Sequence, residues 1–175
     1  FSEFGYDTQP PSTVLSQYAK PYGIHTSEEL QGQWILRTYL YSLSSGVDKS
    51  FMFNLCDENS ATQGYCFGSS GLLTSESTGY KKKQSWKDVD WLVRELNGWT
   101  FKKDVSIDGV KVFEFRNKIW VKYFYWSPTS NDSFCEFKIG KKTLIATEKI
   151  QSIQLNRALD WTGIKPINND NNEKN

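Results

Sequence analysis

The spacing of apolar and polar positions changes once along the chain, near residue 98, from helical to alternating. Phe1 to Phe4 reads as a short buried strand with one carboxylate, Glu3, set into it. Gly5 then releases the chain into a loop that Tyr6, Asp7, Thr8 and the pair Pro10 and Pro11 keep non-helical. Residues 12–22 are polar, with Val14, Leu15 and Tyr18 scattered among them, and read as a loop with room for one helical turn. Thr26 and Glu29 form a capping box, in which hydroxyl and carboxylate satisfy the first backbone donors of a helix reciprocally. The helix is expected over residues 27–45, with Leu30, Trp34, Thr38 and Tyr41 on one stripe and Ile35, Leu36, Tyr39, Leu40 and Leu43 widening it. Gly46 ends it.

Residues 50–55 are short, apolar and aromatic, the signature of a strand buried on both faces as in a parallel sheet. Strand, loop, helix and strand in this order make a βαβ unit, which brings the tips of 1–4 and 50–55 to one side. Asn54, Asp57 and Glu58 are then expected to emerge beside Glu3, at the carboxyl ends of parallel strands where α/β proteins gather their chemistry. A loop follows over 56–83 with an apolar island at Tyr65, Phe67, Leu72 and Leu73. A second helix opens at Ser85, with Trp86, Val89, Val93 and Leu96 on its stripe and Gly98 as its stop.

From Trp99 the period is two. Strands are expected over 100–107, 110–115, 119–126, 134–139 and 143–147, with turn residues Asp108 and Gly109, Asn117 and Lys118, Pro128 to Asp132, and Gly140 and Lys141 between them. The third strand is aromatic on both faces and is expected to be central in its sheet. Residues 168–175 are Asn, Asp, Glu and Lys only, a disordered tail by composition. The expected division is therefore 1–98, 99–167 and the tail.

Composition narrows the function. With 175 residues and a formal net charge of +1, the chain has no basic excess that would argue for nucleic acid or a membrane surface. The run Lys81, Lys82 and Lys83 reads as a solvated triplet ahead of a helix. No apolar run is long enough for a transmembrane helix. Aromatics reach 15%, which suits both a filled core and a carbohydrate-handling surface, since indole and phenol rings pair a flat apolar face with a polar edge. Cys56, Cys66 and Cys135 have no metal-ligand spacing; Cys56 and Cys66 could close a loop, though nothing demands it. The single His25 has no nucleophile or metal set beside it and reads as a surface or capping residue. No metal or cofactor is expected. A chain opening at Phe1 directly in strand-like sequence is expected to be a processed product or a partial reading frame.

Glu3 is the residue with the most chemical interest. A carboxylate at the exit of a buried strand is costly unless it is paired with a nearby Arg or Lys or is put to use. The succession from Glu3 through Asp7, the capped helix, residues 50–58, the Gly71, Leu72 and Leu73 segment and Lys81 to Trp99 resembles the end of a clan-A glycoside hydrolase. That resemblance covers about residues 1–98 and implies the seventh and eighth βα units of a (β/α)8 (TIM) barrel, followed by a small antiparallel β-sandwich domain. It implies that Glu3 is the catalytic nucleophile of a retaining enzyme acting on β-linked glycans, with a second carboxylic acid about 5 Å away. It further implies that Tyr6, Asp7, Asn54 and Asp57 line the sugar site, that an oligo- or polysaccharide is the substrate, and that the protein is secreted or periplasmic.

The same resemblance places the acid/base carboxylate on the fourth strand, upstream of Phe1. Two βα units cannot close a barrel, so the remainder, upstream or on a complementary chain, is the expected partner and the isolated chain is expected to be inactive. The alternative is a non-catalytic carbohydrate-binding or structural interaction module whose surface is built on Trp99, Trp120 and Trp126, against which stands a plain packing role for those rings.

Overall fold

The structure is a computed structural model that describes residues 3–8, 26–59, 67–127, 135–156 and 163–167. It divides into two compact units, the first running to Gly98 and the second starting at Trp99. His25, Cys66 and the expected tail lie outside the described residues. Among the described residues no helix is long and apolar enough to cross a membrane.

Among the described residues the first unit is built on two helices packed together, α1 (Ser27–Ser44) and α2 (Gln84–Leu96). The capping box starts α1: the Glu29 N–H donates to the Thr26 hydroxyl at 3.2 Å and the Thr26 N–H donates back to the Glu29 carboxylate at 3.1 Å. Its buried side carries Leu30, Ile35, Leu36 and Leu40, and also Gln31 and Gln33. On α2 the buried residues are Ser85 and Leu92, whereas Val93 of the expected stripe is 63% exposed. The two helices approach closely at the start of α2, where a Cβ on Gly32 would meet the Asp88 carboxylate and lie 3.4 Å from Ser85 Cα.

Two short extended segments lie beside α1. Phe4 pairs with Met52 in a parallel bridge, with Phe4 N–H donating to Phe51 O at 3.0 Å and Phe53 N–H donating to Phe4 O at 2.7 Å. The parallel sense of this single bridge, with α1 between its two sides in sequence, agrees with the expected direction of pairing, although neither segment is a full strand among the described residues. The expectation that 50–55 is buried on both faces fails: Phe51, Phe53 and Leu55 are 57%, 45% and 59% exposed, while Met52, Asn54 and Cys56 between them are half-buried. The alternation has period two because only the α1 side of this ribbon is covered by described residues. Beyond it come a 3-10 turn, Glu76–Thr78, and a bridge from Leu73 to Cys56, the latter a free thiol.

The second unit is two antiparallel sheets. Strands β1 (Thr100–Asp104), β2 (Lys111–Arg116), β3 (Trp120–Trp126) and β6 (Gln151–Asn156) form one sheet in the order β1-β2-β3-β6. Strands β4 (Cys135–Ile139), β5 (Lys142–Ala146) and β7 (Ile164–Pro166) form the other in the order β5-β4-β7. β3 is central, as its two aromatic faces suggest. β6 and β7 are additions that alternation did not reveal. The inter-sheet core holds Val110, Val112, Val121, Tyr123, Tyr125, Phe137, Ile139, Ala146 and Leu155. Alternation sends Phe113, Phe115, Phe124 and Trp126 to the opposite face of the first sheet, where they too are buried in an edge-to-face ring cluster with Phe101. Trp126 is 1% exposed, so it packs rather than presents a surface. Lys122 sets its ammonium 4.6 Å from the centre of the Trp99 ring.

Candidate functional site

The five residues singled out from sequence fall into two groups. Phe4 turns toward α1, where its ring meets Tyr39 edge-on at 5.1 Å. Strand alternation therefore turns Glu3 to the face away from the helix, the face that also carries Phe51 and Phe53. Glu3 is exposed there and has no hydrogen-bond or ion-pair partner among the described residues. Among the described residues, then, no Arg or Lys pairs with Glu3. Tyr6 lies on the α1 side, edge-on to Trp34 at 5.2 Å, its hydroxyl 2.6 Å from that of Thr38.

Asp7, Asn54 and Asp57 are drawn into a separate polar network under the loop that follows residue 66. The Asp7 carboxylate accepts from Phe67 N–H at 2.6 Å, Ser69 N–H at 3.0 Å and the Ser69 hydroxyl at 3.2 Å. Asn54 donates to Phe67 O at 3.1 Å, and the Ser70 hydroxyl donates to the same oxygen at 2.7 Å. Asp57 accepts from Gly71 N–H at 2.9 Å and is ion-paired with Lys83 at 3.1 Å.

Lys83 corrects the reading of 81–83 as a solvated run. Its side chain is 1% exposed. Besides Asp57 its ammonium donates to Thr8 Oγ1 at 3.1 Å and Ser69 O at 2.9 Å, which uses its three donors. Burial pushes the Lys83 amine below its ordinary 10.5, against the attraction of Asp57, and pushes the Asp57 carboxyl above its ordinary 3.8, against the attraction of Lys83. Gln31, from α1, completes the network by donating to Tyr6 O at 2.7 Å and reaching Gly71 O at 3.3 Å. Its own Oε1 is buried without a partner among the described residues.

The network converges on Phe67, which sequence spacing did not single out beyond an apolar island. Phe67 is a non-glycine residue at φ +67°. Three side chains hold its peptide groups there, and its ring, 49% exposed, lies 5.4 Å from that of Phe53. Left-handed backbone at a bulky residue costs about 1–3 kcal/mol and persists only where the surroundings impose it. Gly5 permits the close approach: a Cβ there would sit 3.1 Å from Ser70 Cβ and 3.5 Å from Phe53 Cβ. The outcome is a wall of Phe51, Phe53 and Phe67 rings, exposed and on or beside the face that carries Glu3. Among the described residues no three His, Cys, Asp or Glu side chains gather as a metal site would require.

No protein-family model matches the sequence, and no curated protein matches it. Among solved structures, the fold is similar to that of a family 39 glycoside hydrolase from the gut symbiont Bacteroides cellulosilyticus WH2, with a TM-score of 0.52 and 16% sequence identity. The match covers 74% of this chain and 31% of that one, so the chain spans about a third of the length of the protein it resembles.

Proposed function

We propose that this chain is the carboxy-terminal portion of a retaining glycoside hydrolase acting on β-linked glycans, with Glu3 as its nucleophile. The observation that carries the reading is the parallel pairing of Phe4 with Met52 beside α1, which turns Glu3 to the face opposite the helix. In a (β/α)8 barrel that face is the interior, and the tip of the strand is where the chemistry sits. The likeness to a glycoside hydrolase supports the reading at the level of fold.

The chemistry needs an ionised carboxylate at position 3. Its oxygen attacks the anomeric carbon as the glycosidic C–O bond breaks, and a carboxylic acid from an upstream strand protonates the departing oxygen. Water then attacks the glycosyl ester, the same upstream residue takes its proton, and Glu3 leaves as carboxylate. Substrate stacks on the exposed Phe53 and Phe67 rings. Asp7 and Asp57 act by fixing the loop that carries Phe67 rather than by touching sugar, since their carboxylates are engaged with protein, and Asn54 holds Phe67 O through its amide N–H. Exposure of Phe51 and Leu55 is in keeping with a ribbon that other barrel strands cover in the longer enzyme.

The test is Glu3→Gln and Glu3→Ala in the full-length enzyme on aryl β-glycosides. Glu3→Gln is expected to lower kcat/KM by about 10³-fold or more with folding unchanged. Glu3→Ala with added azide is expected to release an α-glycosyl azide. Unchanged hydrolysis by Glu3→Gln sinks the assignment.

A further inference from the structure

We propose that Tyr80 is a second stacking platform for a β-linked oligosaccharide, at the same end of the 50–55 ribbon as Phe67. Taking a glycan as the ligand rests on the glycoside hydrolase reading above, which Tyr80 deepens by making the substrate a chain of several sugar rings. Among the described residues two non-glycine positions have positive φ, Phe67 at +67° and Tyr80 at +53°. Both are aromatic, both are about half exposed, at 49% and 50%, and both lie in the connection between residue 55 and α2.

The loop that carries Tyr80 is built to hold it there. Thr74 N–H donates to Lys81 O at 2.9 Å and Lys81 N–H donates back to Thr74 Oγ1 at 2.8 Å, which closes residues 74–81. Inside this loop Ser75 O accepts from the Thr78 N–H at 3.1 Å, the Thr78 hydroxyl at 3.0 Å and the Tyr80 N–H at 3.2 Å. Ser77 N–H donates to Asn59 Oδ1 at 2.9 Å and ties the turn down. Leu73 is bridged to Cys56 in parallel and to Lys82 antiparallel. The chain leaving Leu73 therefore runs on past the carboxyl end of the ribbon and returns at Lys82. Gly68, next to Phe67, is fastened at that end too, its carbonyl accepting from Glu58 N–H at 2.8 Å.

Strain at the two positions is met differently. The Phe67 ring has the Phe53 ring at 5.4 Å. The Tyr80 ring and hydroxyl meet no partner among the described residues. A left-handed conformation costs a bulky residue free energy that glycine would not lose. Strain kept at an exposed ring with no packing in return points to binding. The ring offers a flat apolar face with a hydroxyl at its edge, which fits the C–H face of a pyranose and its equatorial hydroxyls. Glu76 and Lys81 on the same loop are exposed and opposite in charge, so the platform selects by shape.

The experiment is an NMR titration of the 175-residue chain with methyl β-glucopyranoside, cellotetraose and xylotetraose. At least one tetraose is expected to bind about 10-fold tighter than the methyl glycoside and to shift the Tyr80 ring signals. Y80A is expected to weaken that tetraose about 10-fold and to leave the methyl glycoside unchanged, while Y80F keeps the parent affinity. Y80G is expected to lose the same affinity yet hold or raise the urea midpoint, since it relieves strain, whereas loss of a packed tyrosine would lower it. Tetraose affinity that survives Y80A and Y80G, tetraoses no tighter than the methyl glycoside, or a lowered midpoint in Y80G overturns the proposal. Hydrolysis that survives Glu3→Gln in the longer enzyme sinks the nucleophile and leaves these affinities standing. Unchanged tetraose affinity in Y80A sinks Tyr80 and leaves the nucleophile.

Discussion

The Asp7 carboxylate accepts the Phe67 main-chain N–H at 2.6 Å and holds that residue at φ +67°, across 60 positions of sequence. Two further bonds from Ser69 reach the same carboxylate, so Asp7 organises a loop. D7A is expected to cost about 2–3 kcal/mol, because it strands two buried N–H groups and frees a strained backbone at once. F67G removes the strain and tolerates the conformation, so D7A is expected to cost less in an F67G background than alone. A double-mutant cycle by urea unfolding of the first unit measures the coupling; strict additivity would mean that Asp7 does not hold Phe67 in place.

Lys83 and Asp57 are a second long-range pair, and here removal of one partner leaves a buried charge. D57A or K83A is expected to cost about 3–5 kcal/mol, since the survivor keeps its desolvation and loses its counter-charge. A double replacement, D57L with K83M, is expected to cost markedly less than the sum. Unfolding of the three variants against the parent chain decides it, with a double variant as damaging as the sum being the contrary result.

What the sequence disclosed was what local chemistry determines. The capping box at Thr26 and Glu29 spans one helical turn, and the hairpin between β1 and β2 is announced by Asp108 and Gly109, the latter at φ +73°. The parallel pairing of Phe4 and Met52 followed from the order of strand and helix. β6 escaped because Gln151, Ser152, Gln154 and Asn156 dilute its apolar positions Ile153 and Leu155, and its partner β3 lies far away in sequence. Lys83 escaped for a related reason: within a run of three lysines nothing local separates the one that finds a carboxylate 26 positions earlier from the two that face water. Phe67 was legible as an aromatic in a loop, but not its backbone, which the distant Asp7 and Asn54 help impose. Proximity to strand tips picked out Asp7, Asn54 and Asp57 but could not show which main-chain groups they hold.

Two glycines make opposite predictions. At Gly71 an added Cβ would lie 2.5 Å from Asp57 N and 2.8 Å from Cys56 Cα, and main chain cannot step aside cheaply. G71A is expected to cost at least about 3 kcal/mol and to weaken the Cys56–Leu73 bridge. At Gly32 the obstacle is the tip of the Asp88 side chain, which can rotate away. G32A exchanges the loss of its contact with Gln84 for the roughly 1 kcal/mol by which alanine favours a helix interior, so it is expected to fall within about 1 kcal/mol of the parent. Thermal unfolding of both variants is sufficient, and equal losses would refute the distinction.

The Lys83–Asp57 pair also sets a pH dependence whose sign differs from that of a surface ion pair. Burial lowers the Lys83 amine from 10.5. Between its folded value and 10.5 the unfolded chain therefore binds the proton more readily, and stability contributed by Lys83 rises with pH across that window. Burial raises the Asp57 carboxyl from 3.8. Just above 3.8 the folded chain is the one that holds the proton, so the Asp57 contribution rises as pH falls toward that value. The slope reaches at most about 1.4 kcal/mol per pH unit for one proton. The parent chain is thus expected to gain on K83M as pH climbs toward 10.5, and to gain on D57N as pH drops toward 3.8. Denaturant midpoints of the three proteins across pH give both slopes. Reversed signs would mean that mutual attraction outweighs burial, making the pair a net source of charge-dependent stability.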